Sequence, residues 1–125
     1  MLKRLDNVGI AVRDVPRALA FYREKLGLQA QGDESGGSVQ VGNASLYVFK
    51  TANRRGRIQQ RTDDYLKDPP GLDHLAFEVA DLDAEYRALQ KRGVKFLSKP
   101  VTMGRLRYAG FHDPDGNMLY IIQRV

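Results

Sequence analysis

Two short stretches of the chain alternate between apolar residues and small or polar ones. Successive side chains of a β-strand point to opposite faces, so this alternation predicts two strands with one face to bury. The apolar positions are Val8, Ile10 and Val12 in the first stretch, and Leu75, Phe77 and Val79 in the second. The opposite faces carry Asn7, Gly9 and Ala11, and His74, Ala76 and Glu78.

A helix is predicted after each of these strands. Asp14 and Asp81 stand where an N-cap carboxylate can accept from the free backbone N–H groups of a first turn. Gly27 and Gly93 follow at the positions where a left-handed residue commonly ends a helix. Apolar residues recur between these signals at helical spacing: Val15, Ala18, Leu19, Tyr22 and Leu26, then Leu82, Tyr86 and Leu89. We expect each apolar stripe to pack on the apolar face of the preceding strand.

Further strand-like segments complete each half of the chain. They are SVQVG (38–42) and ASLYVFK (44–50), then RLRYAGFH (105–112) and NMLYIIQRV (117–125). The sequence HDPDG from His112 to Gly116 is a strong turn signal, which predicts that the last two strands form a hairpin. Each half is therefore predicted to contain one strand, one helix and two or three antiparallel strands.

The two halves resemble copies of one unit. Asp6, Val12 and Asp14 recur as Asp73, Val79 and Asp81, all at an offset of 67 residues. The predicted strands, caps and helix ends recur at the corresponding places, which makes a duplication the better interpretation. We predict a single domain with module one at 1–50, a basic linker at 51–71 that ends in Pro69-Pro70-Gly71, and module two at 72–125.

Composition narrows the class of protein. The chain has 125 residues, a net charge of +5 and no cysteine. The absence of cysteine excludes disulfides, thiolate metal sites and cysteine nucleophiles, and it fits a reducing compartment. Because no apolar run approaches the roughly 20 residues that span a bilayer, we predict a cytoplasmic protein without a membrane partner.

The positive charge includes one dense cluster, Arg54, Arg55, Arg57 and Arg61. A run of like charges is usually a solvated loop. A nucleic-acid or protein contact patch is the alternative, but no stacking aromatic residues stand among these arginines. Nucleic acid is therefore an unlikely partner in our interpretation, whereas an anionic small molecule agrees with the sign of the charge.

Three segments together resemble the vicinal oxygen chelate superfamily, which includes glyoxalase I, extradiol dioxygenases and bleomycin-resistance proteins. They are DNVGIAVRDVPRALAFYREKLGL, DHLAFEVADLDAEYRALQKRG and DPDGNMLYII. The resemblance implies an α+β fold in which two βαβββ modules form a curled mixed sheet, or cup, with the helices outside. It also makes a homodimer possible, because many relatives build their cups with a second subunit.

The resemblance implies four positions for metal ligands, commonly His, Glu, His and Glu in metal-dependent members. In this chain the positions hold Asn7, Tyr47, His74 and Tyr120, so one of the four matches. Divalent cations need several ligands, and carboxylates normally supply the negative charge. We therefore expect no standard divalent-metal centre and no cofactor.

The same layout places a set of candidate ligand-binding residues on the concave side of the cup. The set is Asn7, Tyr47, Phe49, His74, Tyr108 and Tyr120, and it has the aromatic and sparsely polar character of a small-molecule pocket. An internal role is the alternative for His74, Tyr47 and Tyr120, with each hydroxyl or imidazole bonded to a neighbour. His112 is expected to be exposed beside its turn, and no catalytic residue is identifiable.

These observations favour a binding protein, in which a metal-free aromatic cup holds a small neutral or anionic organic ligand. The alternative is a glyoxalase-type lyase or isomerase, or a dioxygenase-like enzyme, that uses His74 with or without an unusual metal site.

Overall fold

The computed structural model describes residues 1–53, 55–57, 61–62, 64 and 66–125. The chain divides into two compact units, Met1–Arg57 and Ile58–Val125. Within the described ranges, no helix is long and apolar enough to cross a membrane. Arg54, one of the clustered arginines, lies outside the described residues.

The first unit is a four-stranded mixed sheet with a helix on one face. Its strands run in the order β1-β4-β3-β2, with β1 parallel to β4 and the other pairs antiparallel. A π-helical segment follows the α-helix directly, and the Leu26 N–H donates to the Phe21 carbonyl at 3.3 Å. The elements are β1 (Asn7–Val12), α1 (Val15–Ala20), the π-helical segment (Phe21–Lys25), β2 (Gln29–Gly32), β3 (Gly36–Val41) and β4 (Ala44–Lys50).

The second unit repeats this arrangement. Its strands run in the order β5-β8-β7-β6, with β5 parallel to β8 and the other pairs antiparallel. The elements are β5 (Leu75–Glu78), α2 (Leu82–Lys91), β6 (Val101–Met103), β7 (Leu106–His112) and β8 (Met118–Arg124). The α+β class and the repeated βαβββ order are therefore confirmed, and each sheet is open. The short strands β2 and β6 lie outside the strand-like segments that the pattern singled out.

The buried faces follow the predicted alternation. In the first unit the apolar residues of the sheet and those of α1 are buried together: Ile10, Val12, Val39, Leu46, Val48, Val15, Ala18, Leu19 and Tyr22. In the second unit the corresponding set is Ala109, Phe111, Leu119, Ile121, Leu82 and Leu89. One face of each sheet is thereby used for the core. On the opposite face Tyr47 and Phe49 are exposed in the first unit, whereas Met118 and Tyr120 are buried in the second.

Both helices begin at the predicted caps. The Asp14 carboxylate accepts from the Arg17 N–H at 3.0 Å, and the Asp81 carboxylate accepts from the Ala84 N–H at 3.1 Å. A third capping contact comes from β8, where Gln123 Oε1 accepts from the Leu82 N–H at 2.8 Å. The start of α2 is therefore joined to the last strand of its own sheet.

The predicted hairpin joins β7 to β8 through a turn centred on Asp113. Its carboxylate accepts from the backbone N–H groups of Asp115 at 3.0 Å and Asn117 at 2.9 Å, and from the Asn117 side chain at 2.8 Å. Gly116 has a φ of 94°, which a residue with a side chain rarely adopts. The turn fixes the register in which Gly110 faces Tyr120 across the hairpin.

A bidentate ion pair joins α2 to β7. Arg107 donates through both terminal nitrogens to the Asp83 carboxylate, each at 3.0 Å. The hydrogen bonds from Arg107 hold the pKa of Asp83 below its ordinary value of 3.8. A carboxylate whose pKa is lowered in the folded state stabilises the protein above its ordinary pKa, and this contribution is lost as the pH falls through the lowered value.

This ion pair predicts an acid-dependent step in stability. Asp83→Asn should lower the free energy of unfolding near neutral pH, because the charge on Asp83 is lost. The difference from the wild type should shrink as the pH falls from about 4 toward 2, because the wild-type carboxylate then becomes protonated. Urea unfolding at a series of pH values measures it, with the exposed loop variant Glu34→Gln as the control. A difference that stays constant across this pH range would contradict the prediction.

Candidate functional site

The open face of the first sheet carries a pair of stacked aromatic rings. Tyr47 and Phe49 lie on β4 with their ring centroids 5.4 Å apart and their planes inclined by 28°. They are 50% and 36% exposed, which is unusual for aromatic side chains in the middle of a strand. The pair offers an accessible apolar surface rather than filling the core.

Small residues surround this aromatic pair. Gly9 lies beside Tyr47 in the register of β1 and β4, and Gly36 lies beside Phe49 in the register of β3 and β4. A side chain at Gly9 would come within 3.6 Å of the Phe49 ring, so its absence leaves space over that ring. Asn7 shares this open face, but its amide donates to the Asp6 carboxylate at 2.9 Å. The Asn7 amide is thus engaged with the residue before it in the chain.

An amide-rich groove continues the open face of the first sheet. The register places Ser38 beside Tyr47, and Gln31 beside Ser38. The groove has a volume of about 570 Å³ and is lined by Arg23, Leu28, Gln29, Ala30, Gln31, Ser38 and Gln40. That volume falls in the range of small-molecule pockets, about 300–1,000 Å³. Sequence reasoning missed this groove. The signal was present, because Gln29 and Gln31 share one face of a strand by their spacing of two, and so do Ser38 and Gln40.

The open face of the second sheet carries three ring side chains in contact. The His74 ring packs edge-on against Tyr120 with centroids 4.7 Å apart, and Tyr108 packs edge-on against the same ring at 5.5 Å. Tyr120 is only 9% exposed, whereas His74 is exposed. The structure thus brings together the three candidate residues of this unit, with Tyr120 as the ring that the other two contact.

A small cavity lies beside this ring cluster. Its volume is about 100 Å³, too small for a drug-sized molecule but sufficient for a substituent of one. It is lined by Leu97, Ser98, Val101, Tyr108, Ala109, Gly110 and Tyr120. Gly110 is needed here, because a Cβ at this position would lie 2.7 Å from the Tyr120 ring.

His74 has a carboxylate partner next to it in the chain. Its Nδ1 lies 2.7 Å from Asp73 Oδ2, and Asp73 Oδ1 lies 3.8 Å from the Arg61 guanidinium. An ionised carboxylate can only accept, so neutral His74 donates from Nδ1 and carries its lone pair on Nε2. This arrangement can serve as a hydrogen-bond acceptor or as an acid/base group.

Two expectations about exposure, one for Arg61 and one for His112, are wrong. Arg61 is not part of a solvated loop, because it is 9% exposed and donates to the carbonyls of Pro69 and Pro70. His112 is half-buried rather than exposed, because its Nε2 bonds to the Arg61 carbonyl at 3.1 Å. The neighbouring Arg55 and Arg57 are exposed, as a charged loop predicts.

Comparison with known proteins decides the family. A model of the glyoxalase/bleomycin resistance protein/dioxygenase superfamily matches residues 4–121. The chain belongs to this superfamily.

Two relatives show how far the likeness in sequence extends. The uncharacterized protein YurT of Bacillus subtilis (strain 168) is 30% identical over 92% of this chain and 94% of its own. The mitochondrial methylmalonyl-CoA epimerase of Homo sapiens is 32% identical over 82% of this chain and 61% of its own length. This superfamily member thus resembles both an enzyme and proteins without a stated activity.

Solved structures of the superfamily have the same fold. TnmS3, an antibiotic binding protein from Streptomyces sp. CB03234, is 26% identical, with a TM-score of 0.72 over 99% of this chain and 98% of its own. A glyoxalase family protein from Bacillus anthracis, at 19% identity, reaches a TM-score of 0.77 over 100% and 98%. The glyoxalase/bleomycin resistance architecture is therefore confirmed for this chain.

The residues at the four positions that the resemblance assigns to metal ligands do not fit a divalent cation. In the first unit they are an amide, engaged with Asp6, and the phenol of Tyr47. In the second unit they are His74, whose Nδ1 is engaged with Asp73, and the phenol of Tyr120, which is packed between rings. No three imidazole, carboxylate or thiol groups converge anywhere in the part of the chain that the structure describes. The donor set lacks the negative charge that such a cation requires.

The packing over Gly110 predicts that an added methyl group lowers stability more at Gly110 than at Gly9. Gly110→Ala should lower the free energy of unfolding by about 1–3 kcal/mol, because the new Cβ would overlap both the Met118 methyl group and the Tyr120 ring. Gly9→Ala is the matched control, since its Cβ meets Phe49 at an ordinary contact distance of 3.6 Å. Urea unfolding of both variants measures the difference. Equal losses for the two glycines would contradict this account of the ring cluster.

Proposed function

We propose that this superfamily member binds a small neutral or anionic organic ligand without a resident metal. The observation that carries the proposal is the exposed stacked pair of Tyr47 and Phe49, which adjoins the amide-rich groove. Planar rings stack favourably on exposed aromatic faces, and such contacts contribute about 0.5–1.5 kcal/mol beyond the area they bury. The ligand is therefore expected to have a planar part and a polar part.

The polar part of the ligand is expected to lie toward Gln31, Ser38 and Arg23. Arg23 donates to the Ala30 carbonyl at 3.2 Å, which anchors its guanidinium at the groove, and its other N–H groups can bind an anion. Amide and hydroxyl groups of the groove can pair with carbonyl or hydroxyl groups of a neutral ligand. The net charge of +5 acts in the same direction, because it disfavours cationic molecules.

The proposal keeps all six predicted residues as ligand-binding candidates. Asn7, Tyr47 and Phe49 are the candidates of the first unit. His74, Tyr108 and Tyr120 are those of the second, where the small cavity lies beside the two tyrosines. The name of TnmS3 as an antibiotic binding protein supports ligand binding within the superfamily. Cytoplasmic location and homodimer formation stay predictions.

The proposal is tested with three naphthalene probes that differ only in their polar group. We expect 1-naphthoate and 1-naphthalenemethanol to raise the melting temperature, and 1-naphthylmethylammonium to have no effect, because bound ligand stabilises the folded state. Tyr47→Ala should weaken naphthoate binding by about 2- to 10-fold, the loss of one stacking contact. Arg23→Gln should weaken naphthoate but leave the neutral alcohol unchanged. Calorimetric titration with and without EDTA measures these affinities.

The control variant for this test is Leu5→Ala. Leu5 is an exposed apolar residue that lies before β1 and is not among the residues of the proposed site. Its substitution should leave all affinities unchanged. Absence of binding by both the anion and the alcohol, equal losses in Leu5→Ala and Tyr47→Ala, or binding abolished by EDTA would each contradict the proposal.

A second function, acid/base catalysis by an isomerase or lyase, is favoured by one specific contact. The 2.7 Å hydrogen bond between Asp73 and His74 orients an exposed imidazole, as acid/base catalysis requires. The similarity to methylmalonyl-CoA epimerase points to proton exchange next to a carbonyl group as the reaction to examine.

The two functions differ in their outcome with methylmalonyl-CoA in deuterium oxide. If the protein only binds its ligand, the thioester should take up deuterium no faster than it does without protein. Catalysis by His74 expects incorporation that His74→Gln reduces by about 100-fold or more, while Leu5→Ala has no effect. Mass spectrometry of the recovered thioester measures the exchange. Incorporation lost in His74→Gln would replace the binding function with the enzymatic one.

A further inference from the structure

A buried arginine organises the chain just before β5. Arg61 is 9% exposed, and its two terminal nitrogens donate to consecutive carbonyls, those of Pro69 and Pro70. Proline offers no N–H, so this part of the chain depends on its carbonyl groups for hydrogen bonds. The guanidinium supplies two donors in a planar fork, a geometry that lysine cannot reproduce.

The backbone around Arg61 is built to accept this side chain. Gly71 follows the two prolines with a φ of 135°, and a Cβ there would lie 2.8 Å from Arg61 Nη2. The Arg61 carbonyl is in turn bonded to His112 on β7. Arg61 therefore joins the segment at 69–73 to the sheet of the same unit.

The same guanidinium lies next to the carboxylate that holds His74. Arg61 Nη1 is 3.8 Å from Asp73 Oδ1, while Asp73 Oδ2 accepts from His74 Nδ1 at 2.7 Å. The two oxygens of one carboxylate thus face a cation on one side and an imidazole on the other. The arginine both supplies the compensating charge and fixes the backbone that carries Asp73.

We propose that Arg61 is a positioning residue for His74. Through Asp73 it holds the neutral imidazole in the Nδ1–H tautomer, which leaves Nε2 as a hydrogen-bond acceptor on the open face. Among the residues that the structure describes, Nε2 has no hydrogen-bond partner. The ligand class that this arrangement selects carries an O–H or N–H donor opposite His74. This consequence rests on the proposed role of His74 in ligand contact, whereas the tautomer itself does not.

The tautomer is measured on the full-length protein without any ligand. Long-range ¹H–¹⁵N correlation spectra at about pH 8.5, where imidazoles are ordinarily neutral, distinguish protonated from unprotonated ring nitrogens. The chain has two histidines, so His74→Gln, which leaves only the His112 signals, assigns the spectrum. We expect His74 of the wild type to show a protonated Nδ1 and an unprotonated Nε2. Asp73→Ala should give a mixture of both tautomers.

Substitution of Arg61 separates positioning from simple structural support. Arg61→Gln should move His74 toward the mixture seen in Asp73→Ala, while Arg57→Gln, an exposed neighbour in the same basic segment, should leave the spectrum unchanged. Arg61→Lys keeps the charge without the fork and should also give a mixture. If Arg61→Gln fails to fold, the lysine variant decides the question.

Three results would overturn the proposal. The first is a wild-type protein in which His74 is protonated on Nε2. The second is an Arg61→Gln variant that folds and keeps the wild-type tautomer of His74. If Arg61→Gln does not fold, the third is an Arg61→Lys variant that keeps the wild-type tautomer. A melting temperature that falls without a change in tautomer means that Arg61 only supports the fold. Because no ligand is present, the result is independent of whether 1-naphthoate binds.

Discussion

The two-residue period of the β-strand is the constraint on which the rest of this structure depends. Each sheet has one face packed against a helix, so every second residue of its central strands is committed to the core. The remaining residues form the opposite faces, where Tyr47 and Phe49 are exposed, whereas Met118 and Tyr120 are buried. In the first unit they form an aromatic and amide surface, whereas in the second they form a cluster of phenol and imidazole rings.

This division explains why a duplicated sequence need not keep duplicated chemistry. The identities between the halves include the helix caps Asp14 and Asp81, and the pair Asp6 and Asp73, each of which is hydrogen-bonded to the side chain of the next residue. The first positions of the open faces, Asn7 and His74, already differ. The open faces carry less of the core packing, so their polar groups can differ between the halves, as the amide of Asn7 and the imidazole of His74 do.

Features encoded by neighbours in the chain were predictable from the sequence, and features encoded by distant contacts were not. Asp14, Asp81, Gly116 and the alternation around Ile10 act through residues a few positions away, so their roles were correctly predicted. Gln123 caps a helix that begins 41 residues earlier, and no local pattern marks it. Arg61 was misread for the same reason, because its charge suggested solvent while its partners are proline carbonyls eight and nine residues away.

The π-helical segment at Phe21–Lys25 has a consequence for the groove of the first unit. A π turn encloses one residue more between its bonded groups than an α turn, and each residue of a helix rotates the next side chain by about 100°. Tyr22 and Arg23 are adjacent in this segment, yet one is buried in the core and the other lines the groove. The direction of the Arg23 side chain is thus set by the helical backbone, and the loss of one residue from this segment would turn that side chain by about 100° around the helix axis.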